Sequence, residues 1–132
     1  MSGFYDNPIH ACYNFGVMDF GAAAGVTTHQ VAGPAGKQGR LKGIAVATTE
    51  ATVFATTLGK VQVGKIGDLD AYGELNIPTA IAINTVVNST DDPDAIIAAD
   101  IPAETAVQVT LVEGTGAGLT GQGQVFVYID WF

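Results

Sequence analysis

Apolar and polar residues alternate along this chain in short runs, and the run at 124–132 is the strongest. In Gln124-Val125-Phe126-Val127-Tyr128-Ile129-Asp130-Trp131-Phe132, the residues Val125, Val127, Ile129 and Trp131 fall on one side of an extended backbone. Phe126, Tyr128 and Phe132 fall on the other, with Asp130 as the single charge. Side chains of a strand point alternately to its two faces. A strand that is apolar on both faces is usually covered on both, so the pattern predicts a central strand of a sheet or one at a subunit contact. Burial of each large apolar side chain contributes about 1.5–3 kcal/mol. Phe126, Tyr128, Trp131 and Phe132 are therefore candidate core or self-contact residues.

Thr105–Glu113 alternates as cleanly, with Val107, Val109 and Leu111 on one face and Ala106, Gln108, Thr110 and Val112 on the other. Looser alternation predicts strands over 12–20, 41–48, 51–57 and 59–66, with turns at Thr49-Glu50 and Leu58-Gly59. The β-branched content of 79–87 predicts another strand. Gly67–Leu75 reads as a turn or irregular excursion, Asn88–Asp94 as a polar loop, 94–100 as one helical turn or a short strand, and 114–123 as a Gly-rich hairpin loop. Between 21 and 40, two Gly-rich stretches flank the short strand candidate Val26–Val31; long loops of this kind are often functional. Residues 1–11 contain aromatics without a period and read as an arm. Seven or eight short strands with little helix predict an all-β, antiparallel sandwich or barrel. The long irregular connections favour a jelly-roll-like form of it. The chain then divides into an N-terminal arm, short strand and Gly/Ala-rich loop over 1–40 and a β jelly-roll-like region over 41–132, one domain overall.

Composition adds a reason to expect partners. Hydrophobic residues make up 48% of the 132 residues and charged ones only 14%, a sparsely charged surface for so small a chain. Part of that surface is expected to be covered by other subunits. The net charge is −8, and all five basic residues, Lys37, Arg40, Lys42, Lys60 and Lys65, lie between 37 and 65, whereas ten acidic residues follow Lys65. Phosphate binding needs clustered Lys and Arg, so a nucleic-acid surface is not expected. The acidic remainder reads as a solvated face or as an acidic exterior whose basic rim docks on an acidic partner. A single cysteine, Cys12, precludes an intrachain disulfide and is consistent with a reducing compartment. No run approaches about 20 apolar residues, so no transmembrane helix is expected. The first residues lack the basic start and apolar segment of a secretory signal.

No motif carries chemistry. Gly116-Ala117-Gly118-Leu119-Thr120-Gly121 spells the dinucleotide fingerprint, but that fingerprint must open a helix, and here a strand follows. Gly33–Gly39 lacks the spacing and hydroxyl residue of a phosphate loop. Asp91, Asp92 and Asp94, like Asp68 and Asp70, are explained by turn formation; calcium would need six to eight oxygens. His10 and Cys12 are too few for a metal site on their own, and His29 has no evident nucleophilic partner. Neither catalysis nor a cofactor or metal is expected.

Two stretches together carry a family resemblance. One is Val61-Gln62-Val63-Gly64-Lys65-Ile66-Gly67-Asp68-Leu69-Asp70-Ala71-Tyr72. The other is Ile101-Pro102-Ala103-Glu104-Thr105-Ala106-Val107-Gln108-Val109-Thr110 with the closing Val127-Tyr128-Ile129-Asp130-Trp131. The pattern, over roughly 41–132, resembles small virion structural proteins of tailed bacteriophages, in particular capsid decoration or cement proteins. The resemblance implies a jelly-roll-like domain, made in the host cytoplasm, that assembles as a homotrimer on the outer surface of the capsid. There it binds the major capsid protein and clamps neighbouring capsomers, with no nucleic acid, membrane or cofactor involved. Phe4 and Tyr5 in the arm and Lys37, Arg40 and Lys42 at the end of the long loop are the candidate capsid contacts. The alternatives are a phage tail, spike or head-fibre component that binds a receptor or carbohydrate, a carbohydrate-binding sandwich using Tyr5, Tyr13 and Tyr72, and a small cupin-type enzyme.

Overall fold

The computed structural model describes residues 9–21, 26–54, 56–92, 94–116 and 118–132. Nine strands follow in order: β1 (Ile9–Asp19), β2 (Val26–Val31), β3 (Gly39–Val53), β4 (Lys60–Lys65), β5 (Asp68–Asn76), β6 (Val86–Asn88), β7 (Asp100–Ile101), β8 (Val107–Val112) and β9 (Thr120–Trp131). They form two antiparallel sheets. Sheet A runs β1-β9-β3-β6, with the two-residue β7 also pairing with β3; sheet B runs β2-β8-β4-β5. The all-β sandwich expected from the alternation is what the chain forms.

The core lies between the inner faces. From sheet A it takes Leu41, Ile44, Val46, Val125, Val127, Ile129 and Trp131, and from sheet B Val61, Val63, Leu75, Val107, Val109 and Leu111, all at most 2% exposed. The two cleanest alternations in the sequence therefore become a central strand of each sheet, β9 and β8. Trp131 sits at the end of β9 with its indole Nε1 donating to the Tyr13 hydroxyl at 2.8 Å. The ring needs space beside the backbone. A methyl group on Gly33 or Gly39 would overlap it, so these glycines of the former loop make room for the indole.

Several expectations need correction. β9 is central, but only one of its faces is buried: Phe126, Tyr128 and Phe132 point out of the sandwich, and Tyr128 and Phe132 are 40% and 43% exposed. Trp131 alone of the four candidate core or self-contact residues is in the core. The turn at Thr49-Glu50 is an irregularity inside one fifteen-residue strand, β3, whose register slips between Thr48 and Glu50. Gly67–Leu75 is mostly strand: Gly67, at φ 88°, makes the tight turn that lets β5 pair back on β4. Ile9, His10 and Ala11 belong to β1, so the first strand starts earlier than expected, and the faces within it change at a bulge between Asn14 and Val17.

The expected strand over 79–87 is largely absent. Only Val86–Asn88 pairs as β6, because Ala80 and Asn84 take left-handed φ values of 64° and 62° that break an extended run. Two buried threonines of β3 hold this segment instead. Thr48 Oγ1 donates to the Ala82 carbonyl and accepts from the Thr85 amide, at 2.7 and 2.9 Å. Thr52 Oγ1 does the same with Pro78 and Ile81, also at 2.7 and 2.9 Å. The chain then crosses to sheet B, where Glu74 N–H reaches the Ala95 carbonyl and the Tyr72 carbonyl accepts from Ile97 and Ala98. The described residues of the stretch 77–101, which include β6 and β7, thus cover the β3 edge of one sheet and the β5 edge of the other.

Candidate functional site

Two surfaces stand out among the described residues. The first is the outer face of sheet A. Residues directly opposite on paired strands share a face, which puts His10 beside Asp130, Cys12 beside Tyr128 and Asn14 beside Phe126. On the other side of β9, Asp130 neighbours Arg40, and Tyr128 neighbours Gly43. Small side chains on β3, Gly43 and Ala45, leave an open depression of about 700 Å³ between Cys12 and Tyr128 on one bank and Val86 and Thr90 on the other. Its lining is mainly apolar, with Lys42, His10 and Asp130 at the margin.

The polar groups of this face mostly serve one another. His10 Nδ1 and Asp130 Oδ1 are 2.7 Å apart across the β1/β9 pair. Arg40 Nε donates to Asp100 Oδ1 at 3.2 Å, and its guanidinium lies 5.7 Å from the centre of the Phe132 ring. Burial first, and then the adjacent Cys12 thiol, hold the Tyr128 phenol above its ordinary pKa. It therefore remains a neutral hydroxyl at physiological pH. The outer face of sheet B is different: Thr28, Thr110, Gln62 and Glu74 form a polar row across four strands, with Gln62 Nε2 donating to Glu74 Oε2 at 2.8 Å.

The second surface is the flank formed by the edge strands β1 and β2. Phe15 of β1 packs on His29 of β2 with ring centres 5.0 Å apart, which closes the sandwich interior on this side. His29 is thus a packing residue here, with its Nε2 buried and without a hydrogen-bond partner among the described residues. Ile9, Val17 and Val26 are 44–61% exposed along the same flank.

The candidate capsid contacts do not form one patch. Arg40 and Lys42 are both exposed on β3, where a bulge between Leu41 and Gly43 turns the Lys42 side chain outward. Lys37 instead lines a small recess with Glu104 and Trp131 at the end of the sandwich. Phe4 and Tyr5 lie outside the described residues. The aromatics considered for a sugar platform are not available in the way expected: Tyr72 is buried, and the Tyr13 hydroxyl is taken by Trp131. The sequence pattern missed the depression altogether. Its floor is built from Gly43 and Ala45, small residues that carry no signal of their own until β9 is placed beside them.

Among the described residues, no group of three or more His, Cys, Asp or Glu side chains is placed to hold a metal ion, and no helix is long and apolar enough to cross a membrane. No family model, curated protein or solved structure matches this chain.

Proposed function

We propose that this chain is a non-enzymatic virion structural protein, a decoration or cement protein that binds the outside of a phage head and stabilises contacts between capsomers. The observation that carries this reading is the outer face of sheet A. It is an apolar depression with Lys42 at its margin and Arg40 nearby, on a chain of net charge −8. A depression of this character suits a protein partner whose surface brings an apolar projection and acidic neighbours. The major capsid protein is the partner in this reading. Many copies on one lattice make individually modest contacts effectively tight.

The strand pairing supports the jelly-roll form of the sandwich. With β7 set aside, β1 pairs with β9, β2 with β8, β3 with β6 and β4 with β5. These are nested pairs, as in a long hairpin rolled up so that alternate pairs fall in opposite sheets, a build shared by many capsid domains.

The test is direct. Heads purified with and without the protein are heated, and the temperature of DNA release is compared. Decorated heads are expected to withstand a higher temperature, and Lys42→Glu is expected to reduce binding to bare heads. A protein found only at a tail or fibre would transfer the reading to the receptor-binding alternative. Absence from virions would end both.

A further inference from the structure

We infer that copies of this chain join to one another through the β1/β2 flank, by strand addition on its open edges. This does not rest on the virion reading. The backbone geometry shows what β1 offers. Phe132 exchanges both backbone hydrogen bonds with Gln38 on the β3 side of β9. Backbone groups of a strand point alternately to its two neighbours, so even-numbered residues of β9 face β3 and odd-numbered ones face β1. Ile9, Ala11 and Tyr13 lie opposite Trp131, Ile129 and Val127. They turn their amides and carbonyls to β9. The amides and carbonyls of His10, Cys12 and Asn14 therefore point away from the sheet, and among the described residues no backbone group pairs with them.

Such an edge is a template for another strand, and proteins usually blunt it with Lys, Pro or a covering segment. From Ile9 to Met18, β1 has no Lys, Arg, Asp, Glu or Pro, and the β2 sequence Val-Thr-Thr-His-Gln-Val has none either. The one interruption is the bulge at Gly16, which leaves Ile9–Asn14 as a flat reach.

Charge identifies the occupant. Two chains of net charge −8 repel, and screening over a Debye length of about 8 Å makes that repulsion local. An approach through uncharged surface avoids that repulsion. The added strand must itself be uncharged and have an unpaired edge. Among the described strands of six residues or more, only β2 and the Ile9–Met18 reach of β1 combine both properties, and they lie side by side; the other uncharged edge, β6, is three residues long. A pair of uncharged edges on one flank, one in each sheet, allows a head-to-tail contact that closes into a ring as well as a two-fold one.

Proline scanning of the full chain tests this by sedimentation and hydrogen exchange. Cys12→Pro removes an outward amide that the fold does not use, and edge strands tolerate proline at such positions. Ala11→Pro, in contrast, removes a donor to β9. The native chain is expected to be a small oligomer at micromolar concentration, with slow exchange at the Cys12 and Asn14 amides. Cys12→Pro and Val17→Lys are each expected to be folded monomers, while Ala11→Pro loses structure. A native chain that is monomeric, or an oligomer whose mass survives both Cys12→Pro and Val17→Lys, overturns the inference. If the native chain is monomeric and Val17→Lys, which lies off the depression, loses affinity for bare heads while remaining folded, the edge belongs to a capsid strand instead, and self-joining is likewise overturned. Heat resistance of decorated heads is a separate readout, so this inference can fail while the virion reading stands.

Discussion

The two flanks of the sandwich solve the same problem in opposite ways. Each sheet leaves an edge on both sides. On one side, the connection 77–101 binds to β3 through Thr48 and Thr52 and to β5 through Ala95, Ile97 and Ala98. That side also carries Asp68, Asp70 and Glu74 on β5, with Asp91, Asp92 and Asp94 in the connection. On the other side, β1 as far as Met18 and all of β2 meet solvent without charge, proline or a described covering segment. Twenty-five residues and two buried hydroxyls are committed to sealing one flank, so an unsealed partner of comparable length is a feature with a use. Edge protection here is local, and the unprotected edge marks where another chain can add.

Variants can break the comparison at several points. The largest effect is expected at Trp131, whose indole ties β1 to the core through Tyr13. Trp131→Ala should cost about 3–5 kcal/mol in denaturant unfolding, as for other large core truncations, and should loosen the open flank first. A variant as stable as the parent would mean that β1 is held by something other than this ring. Next is the closed flank. Thr52→Val keeps the shape but leaves the Ile81 amide without its hydroxyl acceptor, at a cost of about 1–3 kcal/mol. Hydrogen exchange at Ala80 and Ile81 should accelerate while exchange in β8 is unchanged. Uniform acceleration would show that the connection is not a separate seal.

Gly33→Ala should cost a similar or smaller amount, about 1–3 kcal/mol for overpacking against the indole; a thermal melt that does not move would place the loop farther from the ring. Val17→Lys should change the stability of an isolated monomer by less than about 0.5 kcal/mol, since the side chain is exposed and makes no described polar contact. The smallest effect concerns alkaline pH. Burial, and then the charge of Asp68, raise the Tyr72 phenol above its ordinary 10.0. The folded state therefore favours the neutral phenol. That stability is fully present below pH 10 and is lost as the pH rises through the folded value. Tyr72→Phe should flatten the alkaline limb of the stability curve, and an unchanged limb would assign it to other groups.

Much of the sandwich was legible in the sequence because its central strands bury one face completely. Val107, Val109 and Leu111, and Val125, Val127 and Ile129, announce β8 and β9 by a period of two that nothing else in the chain reproduces. Strand boundaries were legible where glycine or a hydroxyl residue had a single role, as at Val26–Val31. They were not legible where a continuous ladder gave way to isolated backbone bonds reinforced by side chains. The apolar run over 79–87 looks like a strand, yet before Val86 it meets β3 only at Thr48 and Thr52, whose backbone groups and hydroxyls both bond its backbone from a distant part of the sequence. The outer row of β9 misled for a related reason. Phe126, Tyr128 and Phe132 read as core or self-contact because they are large and apolar; they are not in the core, since β9 shares that face with His10, Cys12 and Arg40 and no second layer lies over it among the described residues. The basic residues misled in another way: Lys37, Arg40 and Lys42 are neighbours in sequence, but one lines the end of the sandwich and the other two project from its face.

The nested pairing of strands also sets the order in which the molecule can come into being. β9 is the shared neighbour of β1 and β3, so sheet A has no centre until residues 120–131 have been synthesised. Of the described strands β1 is made first and waits longest, an edge strand uncharged as far as Met18 whose neighbour β9 is not yet in place. Sheet B is nearer completion, since β2, β4, β5 and β8 all precede β9. Folding dominated by such distant pairings is slow, and transiently bare strand edges associate readily. The same stretch that would join finished copies is thus the one a nascent chain must keep apart from its neighbours on a polysome.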